Sequence, residues 1–221
     1  VDNIIALTPG VVVSDNTVFI RGGRQDEVGY YLEGTSVTDP MVGGARVTLV
    51  QDALEELNVQ SGGYTAEFGN ANSGIIRTQV RTGTPQWRFS AEYMTDNIGF
   101  QGTDGRYAGE ETWGAYWYGY NEFVGTVSGP LFAPNIKFFG LFDYNYVLDQ
   151  NPQGLPGFDL GLIGDPSFGD TLLLQYNAGP IQGNSLENYT GTGSLQLDFN
   201  PTIVRLIGTY TSGTSFNLWS T

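Results

Sequence analysis

From Trp87 onward, apolar residues recur at every second position, and this alternation organises the second half of the chain. Trp87, Phe89, Ala91 and Tyr93 alternate with Arg88, Ser90, Glu92 and Met94. Ile136, Phe138, Gly140, Phe142, Tyr144 and Tyr146 repeat the pattern over the longest run. Leu195, Leu197 and Phe199 follow it, as do Val204, Leu206, Gly208 and Tyr210. A period of two puts successive side chains on opposite faces, so each run predicts a strand with one apolar and one mixed face. Residues 123–131 are a weaker candidate, with Gly125 and Gly129 inside them. This predicts five strands, or six if residues 113–118 continue one.

Ahead of Trp87 the elements shorten. Val1, Ile4 and Ile5 suit the last turns of a helix, closed by Thr8-Pro9-Gly10. Val11-Val12-Val13, Val18-Phe19-Ile20-Arg21 and Tyr30-Tyr31-Leu32-Glu33 read as short strands, with a tight turn at Glu33-Gly34-Thr35. Ala53, Leu54 and Leu57 oppose Asp52, Glu55 and Glu56, which predicts a short amphipathic helix or turn over residues 52–57. It feeds a strand, Leu57-Asn58-Val59-Gln60. The connection GGYTAEFGNANSG then leads to a last strand over residues 74–81. Its four glycines and its aromatic pair, Tyr64 and Phe68, predict a shaped turn rather than a slack linker. Residues 1–85 are thus expected to form a small α+β domain, and residues 86–221 antiparallel strands with long loops.

Charge and composition narrow the function. Nine Lys and Arg face 23 Asp and Glu, a net charge of −14, and both halves are acidic. Phosphate contacts need a basic surface, so nucleic acid is excluded as a partner. No cysteine and no histidine are present, which removes thiolate chemistry and the commonest general base near neutral pH. A pair of carboxylates can still hydrolyse a glycoside, but nothing marks a particular pair, and no enzyme activity is expected. No apolar run is long enough for a membrane helix.

Alternating strands suit two architectures. A soluble sheet turns its apolar face inward, whereas a membrane barrel turns it outward to lipid. Loop lengths separate them. Residues 132–135 and 201–202 are tight connections, while residues 95–121 and 148–193 read as long loops without regular structure. A compact soluble domain seldom carries such loops, and a barrel with short turns at one end does.

Several segments resemble the TonB-dependent outer-membrane transporters, covering most of the plug and the first barrel strands. Leu7-Thr8-Pro9-Gly10-Val11 resembles the plug's helix-end motif, and Phe19-Ile20-Arg21-Gly22-Gly23-Arg24 its Ile-Arg-Gly motif. Tyr31-Leu32-Glu33-Gly34-Thr35-Ser36-Val37 resembles a segment usually written with Asp-Gly. Residues 52–59, Gly62-Gly63, Ala66-Glu67-Phe68-Gly69 and Ser73-Gly74-Ile75-Ile76 resemble the second plug box. Tyr118-Gly119-Tyr120-Asn121-Glu122-Phe123, Ser128-Gly129-Pro130-Leu131 and Phe138-Phe139 resemble early strands of the carboxypeptidase-regulatory-like, Bacteroidetes-type branch.

The resemblance implies a plug followed by transmembrane strands of a barrel of about 22 strands. Five strands leave two open edges, which lipid does not tolerate, so these residues are expected to belong to a longer chain or an assembly. The implied function is plug-gated import of a nutrient across the outer membrane. Implied partners are outer-membrane lipid and the inner-membrane TonB energy-transducing complex, and the family also allows a surface lipoprotein or other outer-membrane subunits. A non-conducting barrel used for binding or assembly, and a soluble secreted β-rich carbohydrate-binding domain, are the alternatives.

Within that frame Arg21, Arg24, Glu67 and Arg77 are candidate plug–barrel contacts, since a buried cation needs a carboxylate partner. If Phe142, Tyr144, Phe199 and Tyr210 face lipid, then Asp143, Asn145, Asp198, Asn200 and Arg205 face the lumen. Trp87, Tyr93, Tyr144, Tyr146 and Tyr210 stand near strand ends, where an aromatic belt sits. Asp159, Asp165 and Asp170, with Asn151, offer oxygen ligands for calcium, although their spacing matches no ordered calcium loop.

Overall fold

The computed structural model describes residues 2–14, 17–47, 49–69, 71–96, 119–150, 158–164, 171–176 and 183–216. By compactness it divides into two units. One comprises Val1–Ser90, Gly125–Phe142 and Thr190–Thr211, and the other Ala91–Val124, Asp143–Tyr189 and Ser212–Thr221.

The first unit begins with a single helical turn, α1 (Asp2–Ile5), and Gly10, at φ 84°, directly precedes the first strand. Val11–Ser14 (β1) and Thr17–Ile20 (β2) form an antiparallel pair. Val28–Leu32 (β3), Thr35–Ser36 (β4), Leu54–Gln60 (β5) and Gly74–Val80 (β6) form a four-stranded sheet in the order β4-β3-β6-β5. β3 and β6 are parallel, which requires the long crossover between them, and the other two pairings are antiparallel. Ile5, Val11, Val18, Ile20, Val28, Tyr30 and Ile76 bury together as the core between the pair and the sheet. β6 reads as a buried strand because it lies between two partners, and Ile75 and Val80 are fully buried.

The glycine-rich connection is shaped by its aromatic residues. Tyr31 and Phe68 meet edge to face at 5.0 Å, and Tyr64 packs on the same cluster, with Ala71 and Ile75. The Tyr64 hydroxyl donates to the Ala71 carbonyl at 2.7 Å and that of Tyr31 to the Gly69 carbonyl at 3.1 Å. Two phenols thereby satisfy carbonyls of a segment with no ladder of its own.

The helix or turn expected over residues 52–57 is present only as a turn at its start, and the rest is corrected to strand. Only Gln51–Ala53 turns, as a 3-10 turn, and β5 starts at Leu54. A bulge between Leu54 and Glu56 inserts one residue, which gives Leu54 and Leu57 a spacing of three inside a strand. The bulge imitates a helical period.

Five further strands follow: Arg88–Thr95 (β7), Asn121–Pro130 (β8), Ile136–Val147 (β9), Leu186–Phe199 (β12) and Thr202–Ser215 (β13), in the order β13-β12-β9-β8-β7. Bonds at the two ends of the β8–β9 and β9–β12 pairs fix antiparallel neighbours. Leu131 and Leu148 amides reach the carbonyls of Ile136 and Gly119, and Asp198 and Gln150 amides those of Asn135 and Asn184. The sheet is open among the described residues; no closed barrel is formed by these strands.

A second correction concerns residues 148–193, which are not an unstructured loop. Phe158–Gly164 (β10) and Thr171–Tyr176 (β11) pair as a separate antiparallel hairpin. β12 then starts at Leu186, because Thr190, Thr192 and Ser194 carry its buried face with glycines between them. Small polar residues leave no apolar alternation to read.

Candidate functional site

In the first unit, the small domain touches the sheet at β8, β9, β12 and β13. Phe139 and Leu141 of β9 are buried, whereas Phe142 is 48% exposed. Ser194 of β12 donates its hydroxyl to the Arg81 carbonyl at 2.6 Å, and Thr84 and Ser128 hydroxyls lie 2.9 Å apart. At Gly83 a Cβ would stand 2.3 Å from the Phe138 amide nitrogen, so the chain entering the sheet runs directly against the β9 backbone. Phe139 and Leu141 therefore make the lower part of that face apolar, although alternation assigned them to the mixed side.

The most specific contact centres on Glu33. β3 and β4 join through Glu33 and Gly34, both at positive φ (49° and 82°), the pattern of a two-residue turn whose twist matches its strands. This conformation holds the carboxylate between two donors. Oε1 accepts the Val80 amide at 2.8 Å, and Oε2 accepts Arg205 Nη1 of β13 at 3.3 Å. Beside the pair lies a cavity of about 640 Å³ lined by Leu32, Glu33, Thr35, Ile203, Arg205 and Ile207. A second, of about 360 Å³, adds Arg46, Val47, Thr209 and Thr211 to the same wall. Arg46 itself pairs with Asp39 at 3.5 Å. Asp39 Oδ1 accepts the Met41 amide at 2.7 Å, and this bond, partly opposed by desolvation and assisted by the Val42 amide and Arg46, lowers its pKa below the usual carboxylate value.

Arg205 reaches Glu33, a residue that sequence reasoning did not single out as a site; its signal was the Glu-Gly turn pattern. Asp198 shares the parity of Ser194 on β12, and Asn200 lies in the turn just past the strand's end. Arg21 Nη1 donates to the Ser61 carbonyl at 2.8 Å, which ties two loops of the small domain together. The Arg24 amide bonds Glu27 Oε2 at 2.9 Å, capping a 3-10 turn at Gln25–Glu27. Glu67 accepts the Thr65 hydroxyl at 2.7 Å, and the Arg77 guanidinium lies 5.7 Å from the Phe68 ring centre. The Arg21, Glu67 and Arg77 side chains and the Arg24 backbone amide make these contacts within the small domain.

The aromatic candidates lie on the opposite parity. Trp87 stacks on Phe89 at 5.9 Å, and Gly129 leaves room for the Trp87 ring. Tyr210 is 71% exposed, and Tyr93 and Phe199 are exposed as well. In the second unit the Tyr93 hydroxyl donates to Asn121 Oδ1 at 2.6 Å, and Tyr144 and Tyr189 pack at 4.9 Å with both hydroxyls on Glu187. Tyr146 is half-buried on the parity of Tyr144. Asp143 and Asn145 stand on the other parity of β9, near Tyr120, whose hydroxyl donates to Glu122. Burial, first, and the carboxylates of Glu122 and Asp143 push the Tyr120 phenol well above its ordinary value. Asp159 accepts the Gly161 amide at 2.8 Å, and Asp165, Asp170 and Asn151 lie outside the described residues. Among the described residues no cluster of carboxylates is arranged to hold a metal ion.

The arrangement holds the small domain against one face of the sheet. No family model matches the chain. It is 26% identical over 160 residues, 70% of its length, to the TonB-dependent transporter Oar of Myxococcus xanthus, and spans 15% of that protein. Among solved structures, the siderophore receptor PirA of Acinetobacter baumannii aligns with 96% of this chain and 37% of that one, at 14% identity and a TM-score of 0.49. The sequence likeness supports distant kinship with the TonB-dependent receptor superfamily, and does not reach a branch within it.

Proposed function

We propose that this chain is the plug and the first wall strands of a TonB-dependent outer-membrane transporter. The supporting observation is the Glu33–Arg205 contact: a small α+β domain engages one face of an open antiparallel sheet whose other face exposes Trp87, Phe142, Phe199 and Tyr210. That is the polarity of a wall strand with lipid outside and a plug inside. The distant likeness to a TonB-dependent transporter supports the same reading.

In this reading Arg205, Asp143, Asn145, Asp198 and Asn200 face the lumen. Substrate binds between the outer loops and the plug, and a pull from the inner-membrane energy-transducing complex then opens a path. The contact made by Glu33 is polar and half-exposed, so it holds the domain without fixing it irreversibly. Epistasis tests the proposal. A strain lacking the full-length protein and one lacking the energy transducer should fail to deplete the same component of the medium, and the double deletion should be no worse. Additive defects would overturn energised import through this protein.

A further inference from the structure

Alternate positions of β12 run from Phe199, Leu197 and Leu195 back to Tyr189 and Glu187 at the strand's start. On β9 they run from Phe138 and Phe142 to Tyr144 and Tyr146. One strand face therefore changes from apolar to phenolic and acidic along its length. The intervening Asn188 takes the other face, where a Cβ on Gly213 of β13 would collide with its Oδ1.

Within the second unit these groups are joined. The Tyr189 hydroxyl donates to Glu187 Oε1 at 2.6 Å, and the Tyr144 hydroxyl to the same oxygen at 3.3 Å. The two rings pack at 4.9 Å, tilted by 38°, and Tyr189 stays 40% exposed. Two phenols on Oε1 fix the carboxylate and leave Oε2 to accept from outside the group. A carboxylate at the edge of an apolar face calls for a counter-charge. None comes from these strands, since no Lys or Arg occurs between Lys137 and Arg205. β9 and β12 are neighbours inside the sheet, so each already has a strand on both sides and only the space over their face is open.

We propose that Tyr144, Glu187 and Tyr189 form a site for a lipid headgroup carrying a primary ammonium group. The ring faces attract the cation, Oε2 accepts one of its N–H bonds, and the acyl chains lie along the apolar positions of the same strand face. A divalent cation is the poorer fit, because calcium takes about six to eight oxygens and one carboxylate oxygen is free here.

The inference rests on the reading of this sheet as a membrane wall, in which that face meets lipid. The full-length protein in neutral detergent is equilibrated with equal amounts of phosphatidylethanolamine, phosphatidylcholine and phosphatidylglycerol, and the lipids it retains are counted by native mass spectrometry. Phosphatidylethanolamine should be retained in excess over both others. Glu187→Gln still accepts from the phenols but loses the charge, and should lower that excess about fivefold or more. Adding Asn188→Asp to Glu187→Gln restores the net charge on the opposite face and should not restore the excess. Equal retention of the three lipids, or an excess that survives Glu187→Gln, would overturn the proposal. So would an excess abolished by a chelator, which assigns the carboxylate to a divalent cation, or one abolished by free ethanolamine, which assigns it to a soluble amine. Heat-dependent gel migration of the same preparations reports the barrel separately, so a folded barrel without the excess rejects the headgroup site alone.

Discussion

Glu33 carries two jobs that substitutions can separate. Glu33→Gln keeps an acceptor for the Val80 amide and removes the ionic contact with Arg205. Both side chains of that pair are partly solvent-exposed, so the coupling measured by a double-mutant cycle with Arg205→Gln should be about 0.5–1 kcal/mol. Glu33→Asn suits the positive-φ turn but its shorter side chain leaves the Val80 amide uncovered, so hydrogen exchange at Val80 should accelerate only in that variant. Unchanged exchange in Glu33→Asn would contradict the assigned bond. Asp39 gives a pH signature. Its folded pKa is depressed, so its contribution is present above the ordinary value of 3.8 and is lost as pH falls through the lower folded value. A carboxyl titration followed by NMR should therefore place its midpoint below 3.8, and Arg46→Gln should raise it only slightly, because the Met41 amide is the larger cause.

At the scale of elements, β6 is the keystone of the small domain, with partners on both sides and Ile75 fully buried. Ile75→Ala should cost about 2–4 kcal/mol and raise amide exchange through β3, β5 and β6 together. Exchange confined to β6 would show that the sheet is not one cooperative unit. The sequence made some of these elements plain and hid others for physical reasons. β9 and β13 announce themselves because one face faces away from the small domain and carries Phe142 or Tyr210. The first half of β12 stays silent, since Thr190, Thr192 and Ser194 fill its buried face where a large side chain would give the signal. β5 misleads because its bulge spaces Leu54 and Leu57 as a helix would. The β10–β11 hairpin escapes because its two apolar runs lie within a glycine- and proline-rich stretch whose overall composition reads as loop. Glu33 was visible only as a turn residue; that its carboxylate reaches β13, 172 positions away, depends on tertiary geometry.

For the whole molecule, the proposed function requires the five strands to cross a membrane, with residues 148–185 outside and the Asn200-Pro201 turn on the periplasmic side. These 221 residues contain no cysteine, so a thiol introduced among them is the only one in this part of the protein, and the full-length protein without it gives the background. The full-length protein is produced with Leu173→Cys or Thr202→Cys, and intact cells are exposed to a membrane-impermeant maleimide. Leu173→Cys should label in intact cells, and Thr202→Cys only after the outer membrane is permeabilised. Labelling of both positions in intact cells, or of neither, would contradict strands that span the outer membrane.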